Sequence, residues 1–190
     1  MKKTRCPWAD SSPAMRKYHD DEWGIPSHDD RHLFEMLTLE GAQAGLSWAT
    51  ILNRRDGYRR AFASFDPAQV AKFGDRRLER LREDEGIIRN RLKIYATRTN
   101  AKAFLIVQAE FGSFATYLWN WVDGTRIVNH PGSLADLRPT TELSDRISKD
   151  LKIRGFTFVG STIVYALLEA VGVVDDHLTS CPSKRDQKAG

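Results

Sequence analysis

"KIRGFTFVGSTIVYALLEAVG", Lys152–Gly172, reads as the end of one helix, a short link, and the start of another. The link opens at Gly155 and closes at Gly160, and glycine at both ends permits a tight connection. Upstream, "ELSDRISKDLK", Glu142–Lys152, is helical in pattern; downstream, "STIVYALLEAVG" is an apolar helix. The segment is therefore a helical hairpin. The second helix begins with free backbone N–H groups, which suit a phosphate. Lys152 and Arg154 stand just before the link, so Gly155 to Gly160 reads as a clamp for a DNA backbone. Glycine-bearing links of this kind also join helices that bind nothing.

The rest of the chain follows the same helical pattern. Ser27 reads as an N-cap with Asp29 and Asp30 in the first turn. Leu33, Met36, Leu37, Glu40 and Ala44 then form a buried stripe at i, i+3, i+4 spacing. Asp66 and Pro67 mark another helix start, ended by Gly74. Leu78, Leu81 and Ile88 continue an apolar face into a longer helix over Arg89–Glu110. "SFATYLWNWV", Ser113–Val122, is a short aromatic helix, and "NHPGSLADLRPT", Asn129–Thr140, is a loop. No alternating segment is long enough for a real sheet. The expected class is all-α, with residues 1–190 forming one unit.

Composition narrows the function. Hydrophobic residues make up 41% of the 190 positions, enough for a sizeable core. Mean hydropathy is −0.47 and no run approaches a membrane span, so no membrane role is expected. "MKKTRCPW" lacks the apolar stretch of a secretory signal, which points to the cytoplasm. Net charge is +4, mild but compatible with an anionic partner. The basic clusters are Arg89–Lys93 and Ser148–Gly155, and each alone also fits a solvated helix face.

The chain has two cysteines, one near each end, and each has a histidine nearby. Cys6 precedes His19 in "YHDDEWG", Tyr18–Gly24, and His177 precedes Cys181 in "DDHLTSCPSK", Asp175–Lys184. H-x₃-C puts His177 and Cys181 on one face if that segment is helical. Two cysteines and two histidines have the composition of a closed tetrahedral zinc site. Because local C-x₂-C pairs are absent, spacing alone favours ordinary thiols and surface histidines over zinc.

Glu40 is the anomaly in its stripe. Burying a carboxylate costs several kcal/mol unless something compensates. An arginine would make Glu40 structural; a ligand bearing N–H donors or positive charge would make it functional. Trp48 follows eight residues later, on the same face if the helix continues, and Trp8, Trp23, Trp119 and Trp121 complete a tryptophan-rich set. An acid among indoles suits a flat, cationic or amine-bearing ligand.

Together "YHDDEWG", "LFEMLTLEGAQAGLSW", "GIIRNRLKI", "RGFTFVGSTIVY" and "VVDDHL" with Cys181 resemble the bacterial 3-methyladenine DNA glycosylase I family, in order over nearly the whole chain. The resemblance implies a helix-hairpin-helix fold. It also implies one structural Zn²⁺ on Cys6, His19, His177 and Cys181, joining segments 1–26 and 173–190. The implied activity is hydrolytic excision of 3-methyladenine from alkylated double-stranded DNA. It releases the free base and leaves an abasic site, and the enzyme is expected as a monomer. Glu40 and Tyr18 match residues that hydrogen-bond the base, with Glu40 the catalytic candidate. Trp48 matches the stacking residue, and Trp8 and Trp23 match further pocket aromatics. Leu46 matches an apolar residue that fills the gap in the duplex, while Lys152, Arg154, Gly155 and Gly160 belong to the DNA-binding hairpin. Met15 departs from a pocket tyrosine of some members, and Asp175 departs from an expected asparagine. Asp175 reads as a structural acid, and Asp176 as the partner that orients His177. The competing readings are a glycosylase with a shifted alkylpurine preference, a DNA-binding protein without chemistry, and a zinc-stabilised interaction protein.

Overall fold

The computed structural model describes residues 4–184; the first three residues of segment 1–26 and the last six of segment 173–190 lie outside them. The N-terminal half carries α1 (Pro13–Asp21), α2 (Asp30–Gln43), α3 (Trp48–Leu52), α4 (Arg55–Ala61), α5 (Pro67–Val70) and α6 (Asp75–Leu81). After these come α7 (Arg91–Phe111), α8 (Phe114–Asn120), β1 (Ile127–Val128), α9 (Glu142–Ile153), α10 (Ser161–Ala170) and β2 (Val174–Asp175). The fold is all-α, as expected, apart from one two-residue parallel pairing of β1 with β2 among the described residues.

Side-chain caps start most of the helices, because each first turn leaves N–H groups unpaired. Ser12, Asp29, Ser47, Asp66, Asn90, Ser113 and Thr141 all accept from backbone N–H groups in this way. Asp66 and Pro67 take the places their sequence signature predicts. Three expectations shift. Asp29 caps α2, because it stands directly before the first helical residue; Ser27 Oγ instead bonds His32 Nδ1 at 2.8 Å. Gly74 stands at the N-cap of α6, since α5 has already ended at Val70. The Leu78–Ile88 face does not run into the long helix, because Asn90 opens α7 afresh.

Helix α2 runs through the core, with Leu33 to Ala42 buried on every side. Two acids are thereby drawn inside. Glu35 is neutralised by Arg55 at 2.6 Å and Arg59 at 2.9 Å. Glu40 sits against α10, which packs on α2 and on α9. The hairpin between α9 and α10 turns through Gly155 at φ +89°, a left-handed value that favours glycine. Its loop is braced rather than loose. Asn100 of α7 exchanges two hydrogen bonds with the Thr157 backbone, at 2.9 and 2.8 Å, and Ser148 Oγ donates to Val159 O at 2.7 Å. Phe156 and Val159 are buried beneath it. A side-chain carbon added at Gly41 would stand 3.3 Å from Phe158 Cβ, so the loop lies directly beside the Glu40 turn.

The β1–β2 pairing lays the start of the C-terminal segment against Ile127–Val128, and separate contacts join that segment to the N-terminal one. Thr4 N–H donates to Ser180 O at 2.9 Å, and Cys6, Leu178 and Cys181 form a small apolar cluster with Trp8 packed on it. His177 and Cys181 are not on a helix. Cys181 N–H closes a turn onto Leu178 O at 2.8 Å, because β2 has just ended and the chain reverses there.

Candidate active site

A cavity of about 280 Å³ opens between α1, α2, α3 and α10. That is near the lower end of small-ligand pockets, which begin at roughly 300 Å³, so it suits one ring system rather than a nucleotide. All five residues assigned to the base pocket line it: Trp8, Tyr18, Trp23, Glu40 and Trp48. Trp8 and Trp23 meet edge to face at 5.0 Å, and Tyr18 lies 5.2 Å from Trp48. Trp48 Nε1 is buried without a hydrogen-bond partner. Met15, the departure at the rim, is also in the lining.

Glu40 lies on the floor, 4% exposed. Among the described residues no cation or hydrogen-bond donor is paired with its carboxylate. The arginine that would have made it structural is engaged elsewhere: Arg55 forks onto Glu22 at 2.6 and 2.7 Å and onto Glu35. Burial without compensation pushes Glu40 up to about 8. A solitary buried carboxyl facing indoles is poised to meet a ligand that brings N–H groups or positive charge. Tyr18 keeps its proton, because burial and then the Glu40 charge push its hydroxyl well above the ordinary range.

Sequence reasoning missed Gln43, Leu137, Ala166 and Glu169 in the lining. Gln43 had a signal, being one turn beyond Glu40. Glu169 had a weaker one, as the only acid in the apolar "STIVYALLEAVG".

A smaller cavity adjoins the first and shares Glu40, Gln43 and Ala166 with it; Gly45 and Leu46 line its outer side. Leu46 is 41% exposed there. Lys93, from the basic cluster Arg89–Lys93, secures this end of α2 by donating to Ala42 O at 2.8 Å and Ala44 O at 2.6 Å. At the hairpin Lys152 is exposed and has no ion pair among the described residues. Arg154 is engaged, reaching Asp150 and Glu110 at 2.6 Å each and lying over Phe111 and Tyr117. A side chain at Gly160 would meet no atom within 4 Å.

Cys6, His19 and Cys181 form a buried group able to hold a metal ion, their ligand atoms all within 4.8 Å of one another. Both cysteines are free thiols. His177 is not within that distance, but its ring centroid lies 4.9 Å from that of His19 and its Nε2 is buried without a partner. Each histidine has a carboxylate on Nδ1, Asp20 for His19 and Asp175 for His177, both at 2.8 Å. This corrects the expectation for Asp176, which instead accepts from Tyr165 and Asn129 at 2.7 and 2.6 Å. Successive residues of an extended segment point to opposite faces, so only one of the two acids can reach the His177 ring. Gly24 allows the ring its place, since a side chain there would come within 2.8 Å of His177 Cε1.

Fold and site together define an all-helical protein with a helical hairpin beside an aromatic cavity that a buried acid lines. The chain belongs to the methyladenine glycosylase family, whose model matches residues 8–184. It is 44% identical to the DNA-3-methyladenine glycosylase of Haemophilus influenzae, over 95% of this chain and 98% of that one. It is 45% identical to DNA-3-methyladenine glycosylase 1 of Escherichia coli, over 93% and 95%. A crystal structure of 3-methyladenine DNA glycosylase I superposes with a TM-score of 0.92 at 46% identity, covering 94% of this chain and 98% of that one. The Staphylococcus aureus enzyme, solved to explain 3-methyladenine recognition, superposes with a TM-score of 0.94 at 35% identity, covering 99% and 100%. No helix among the described residues is long and apolar enough to cross a membrane.

Proposed function

We propose that this protein is a DNA-3-methyladenine glycosylase, a monofunctional hydrolase that cuts the N-glycosidic bond of 3-methyladenine in alkylated DNA. The observation that carries the reading is Glu40, a buried carboxyl without a partner in an aromatic cavity. Methylation at N3 makes the adenine of a nucleotide cationic. A cation supplies the counter-charge that lets Glu40 ionise, while a neutral purine leaves Glu40 either protonated or unpaired at a cost of several kcal/mol. Indole faces add cation–π attraction. The test is to incubate the protein with methylated duplex DNA and chromatograph what is released. Free 3-methyladenine is expected, and its absence would overturn the reading.

The base must leave the helix to enter the cavity, at a cost of a few kcal/mol. Leu46, exposed in the lining of the adjoining cavity, is the residue that fills the gap on this reading, and its exposure supports that role. Positive charge on the base already weakens the glycosidic bond. When that bond breaks, its electron pair passes to the base, which departs neutral, and the charge moves to the sugar. A water adds at the sugar carbon and loses a proton, giving the abasic site. No lysine lines the cavity among the described residues, so nothing there forms an imine with the sugar.

Phosphates of the duplex are assigned to the hairpin backbone from Gly155 to Gly160, with Lys152 beside it. Arg154 contributes by holding α9 and α7 together and has little freedom to turn outward. Gly160→Ala fits the protein without collision and narrows only the approach of a partner. It is expected to weaken DNA binding by about tenfold and to spare binding of free 3-methyladenine. Titrations with methylated duplex at several salt concentrations check this, and wild-type binding should fall steeply as salt rises.

The orphaned Nε2 of His177 and the Cys6, His19 and Cys181 group together fit a Cys₂His₂ zinc site. Bound zinc would supply a tie between the terminal segments and the positive charge that two buried thiolates need. Without such a charge, burial pushes the Cys6 thiol up to about 12. Asp175 acts here through His177 rather than on the substrate. It is fully buried, accepts from the His177 backbone N–H at 3.0 Å, pairs with Arg126 at 2.9 Å, and is absent from the cavity lining. Asp175→Asn should therefore keep single-turnover base release within about tenfold, whereas a catalytic acid would show a loss beyond about a hundredfold.

A further inference from the structure

We propose that one face of α7 fixes Leu46 in position against the Gly155–Gly160 hairpin, with Lys93 and Asn100 as the positioning residues. The inference rests on the reading above, in which Leu46 enters the duplex and the hairpin takes its phosphates.

Lys93 and Asn100 stand two helical turns apart on α7, so they share one face and lie about 10 Å apart along the axis. Each holds a different element. Lys93 Nζ donates to Ala42 O at 2.8 Å and to Ala44 O at 2.6 Å. These carbonyls belong to the last turn of α2 and its C-cap, where intrahelical donors run out and negative partial charge gathers. The chain then turns at once, Leu46 N–H donating to Gln43 O at 2.6 Å. The turn that presents Leu46 is therefore anchored by Lys93. Arg89 and Arg91 of the same basic cluster are exposed, whereas Lys93 is turned inward onto α2.

Asn100 is buried and makes both of its hydrogen bonds to the Thr157 backbone, inside the hairpin link. The next residue, Phe158, has φ +54°, in the left-handed region that residues with side chains disfavour. Such a conformation persists only where its surroundings hold it, and Asn100 supplies that hold one residue away. The two anchored elements also meet directly. Leu46 lines one small cavity together with Thr162 and Ile163, in the first turn of α10 after the hairpin. An apolar wedge and a phosphate clamp act on the same duplex only at a set separation, and an error of about 1 Å in such placement can cost up to a hundredfold in rate.

The test measures single-turnover release of 3-methyladenine from methylated duplex and from methylated single strands, with free-base binding by calorimetry and melting temperatures for every variant. Lys93→Met keeps most of the bulk and removes the donor. It should slow release from duplex by about tenfold and from single strands by less than about twofold, because a single strand has no gap to fill. Free 3-methyladenine binding should hold. In a Leu46→Ala background Lys93→Met should add little, since both changes act through one contact. The dependence of duplex binding on salt should keep its wild-type slope. Asn100→Ala should weaken binding of duplex by about tenfold and spare free 3-methyladenine; should that variant fail to fold, Lys93→Met decides the question by itself. Equal slowing on duplex and single strands, full additivity with Leu46→Ala, or a salt slope lower by about one, the mark of a direct phosphate contact, would overturn the assignment. Wild-type release from duplex by Leu46→Ala would remove the wedge reading, and this assignment with it. No release by wild type from either DNA would overturn the glycosylase reading itself.

Discussion

Replacing Glu40 by glutamine is expected to slow release of 3-methyladenine from methylated DNA by at least about tenfold, roughly 1.4 kcal/mol of transition-state stabilisation. The volume is kept and only the carboxylate is lost. The same substitution is expected to stabilise the fold at alkaline pH. The carboxyl titrates near 4.5 in an ordinary setting and at about 8 in the folded protein. Between those values the native state holds a proton that the unfolded chain has released. The stability Glu40 contributes is therefore fully present below pH 4.5 and is lost as pH rises to about 8. Glutamine does not ionise and escapes this loss. The variant should match wild type near pH 4.5 and exceed it by up to about 5 kcal/mol above pH 8, an upper bound at 1.36 kcal/mol per unit. Denaturant titrations at both pH values measure the difference. A less active, more stable protein marks a residue kept for its ligand. An active variant with unchanged stability would place Glu40 among ordinary core residues.

Purified protein is expected to contain one zinc per chain, and removal of a ligand should have the largest effect on stability. Cys181→Ala should cost more than about 4 kcal/mol, the range reached when a metal site is lost. His177→Ala should cost a comparable amount, because its buried Nε2 has no hydrogen-bond partner among the described residues. The effect is confined to the junction of the two terminal segments, so it should appear as early opening of residues near Cys6 and Leu178. Hydrogen exchange with and without a chelator reads this directly. Protein that lacks zinc when purified, or a Cys181→Ala variant that melts with wild type, would remove the metal from the account.

The five residues assigned to the pocket were legible in the sequence, and all of them line the cavity. Glu40 stands out because an acid on a buried stripe is costly; Trp48 was also legible as an aromatic close by, although α2 ends at Gln43 and Trp48 reaches the cavity from α3. The hairpin was legible because glycine at 155 and 160 breaks an otherwise helical pattern. These are local signals, carried by residues a few positions apart. Helix boundaries were less so, since Ser27 and Asp29 are both competent caps and only their distance from the first free N–H groups decides between them.

What the chain by itself determined is the set of elements and the identity of the unusual groups: an all-helical pattern, a glycine-bounded hairpin, one misplaced acid, and a cysteine and histidine near each end. Tertiary structure alone decided how those groups are used. Arg55 is spent on Glu22 and Glu35, so Glu40 has no counter-ion among the described residues. Arg154 is held by Glu110 and Asp150. His177 takes Asp175 rather than Asp176 on its ring, and α10 carries Glu169 into the cavity that α2 floors. Spacing along the chain constrains neighbours on one helix face or one strand, whereas pairing between distant charges depends on which helices pack together and which partner is reached first.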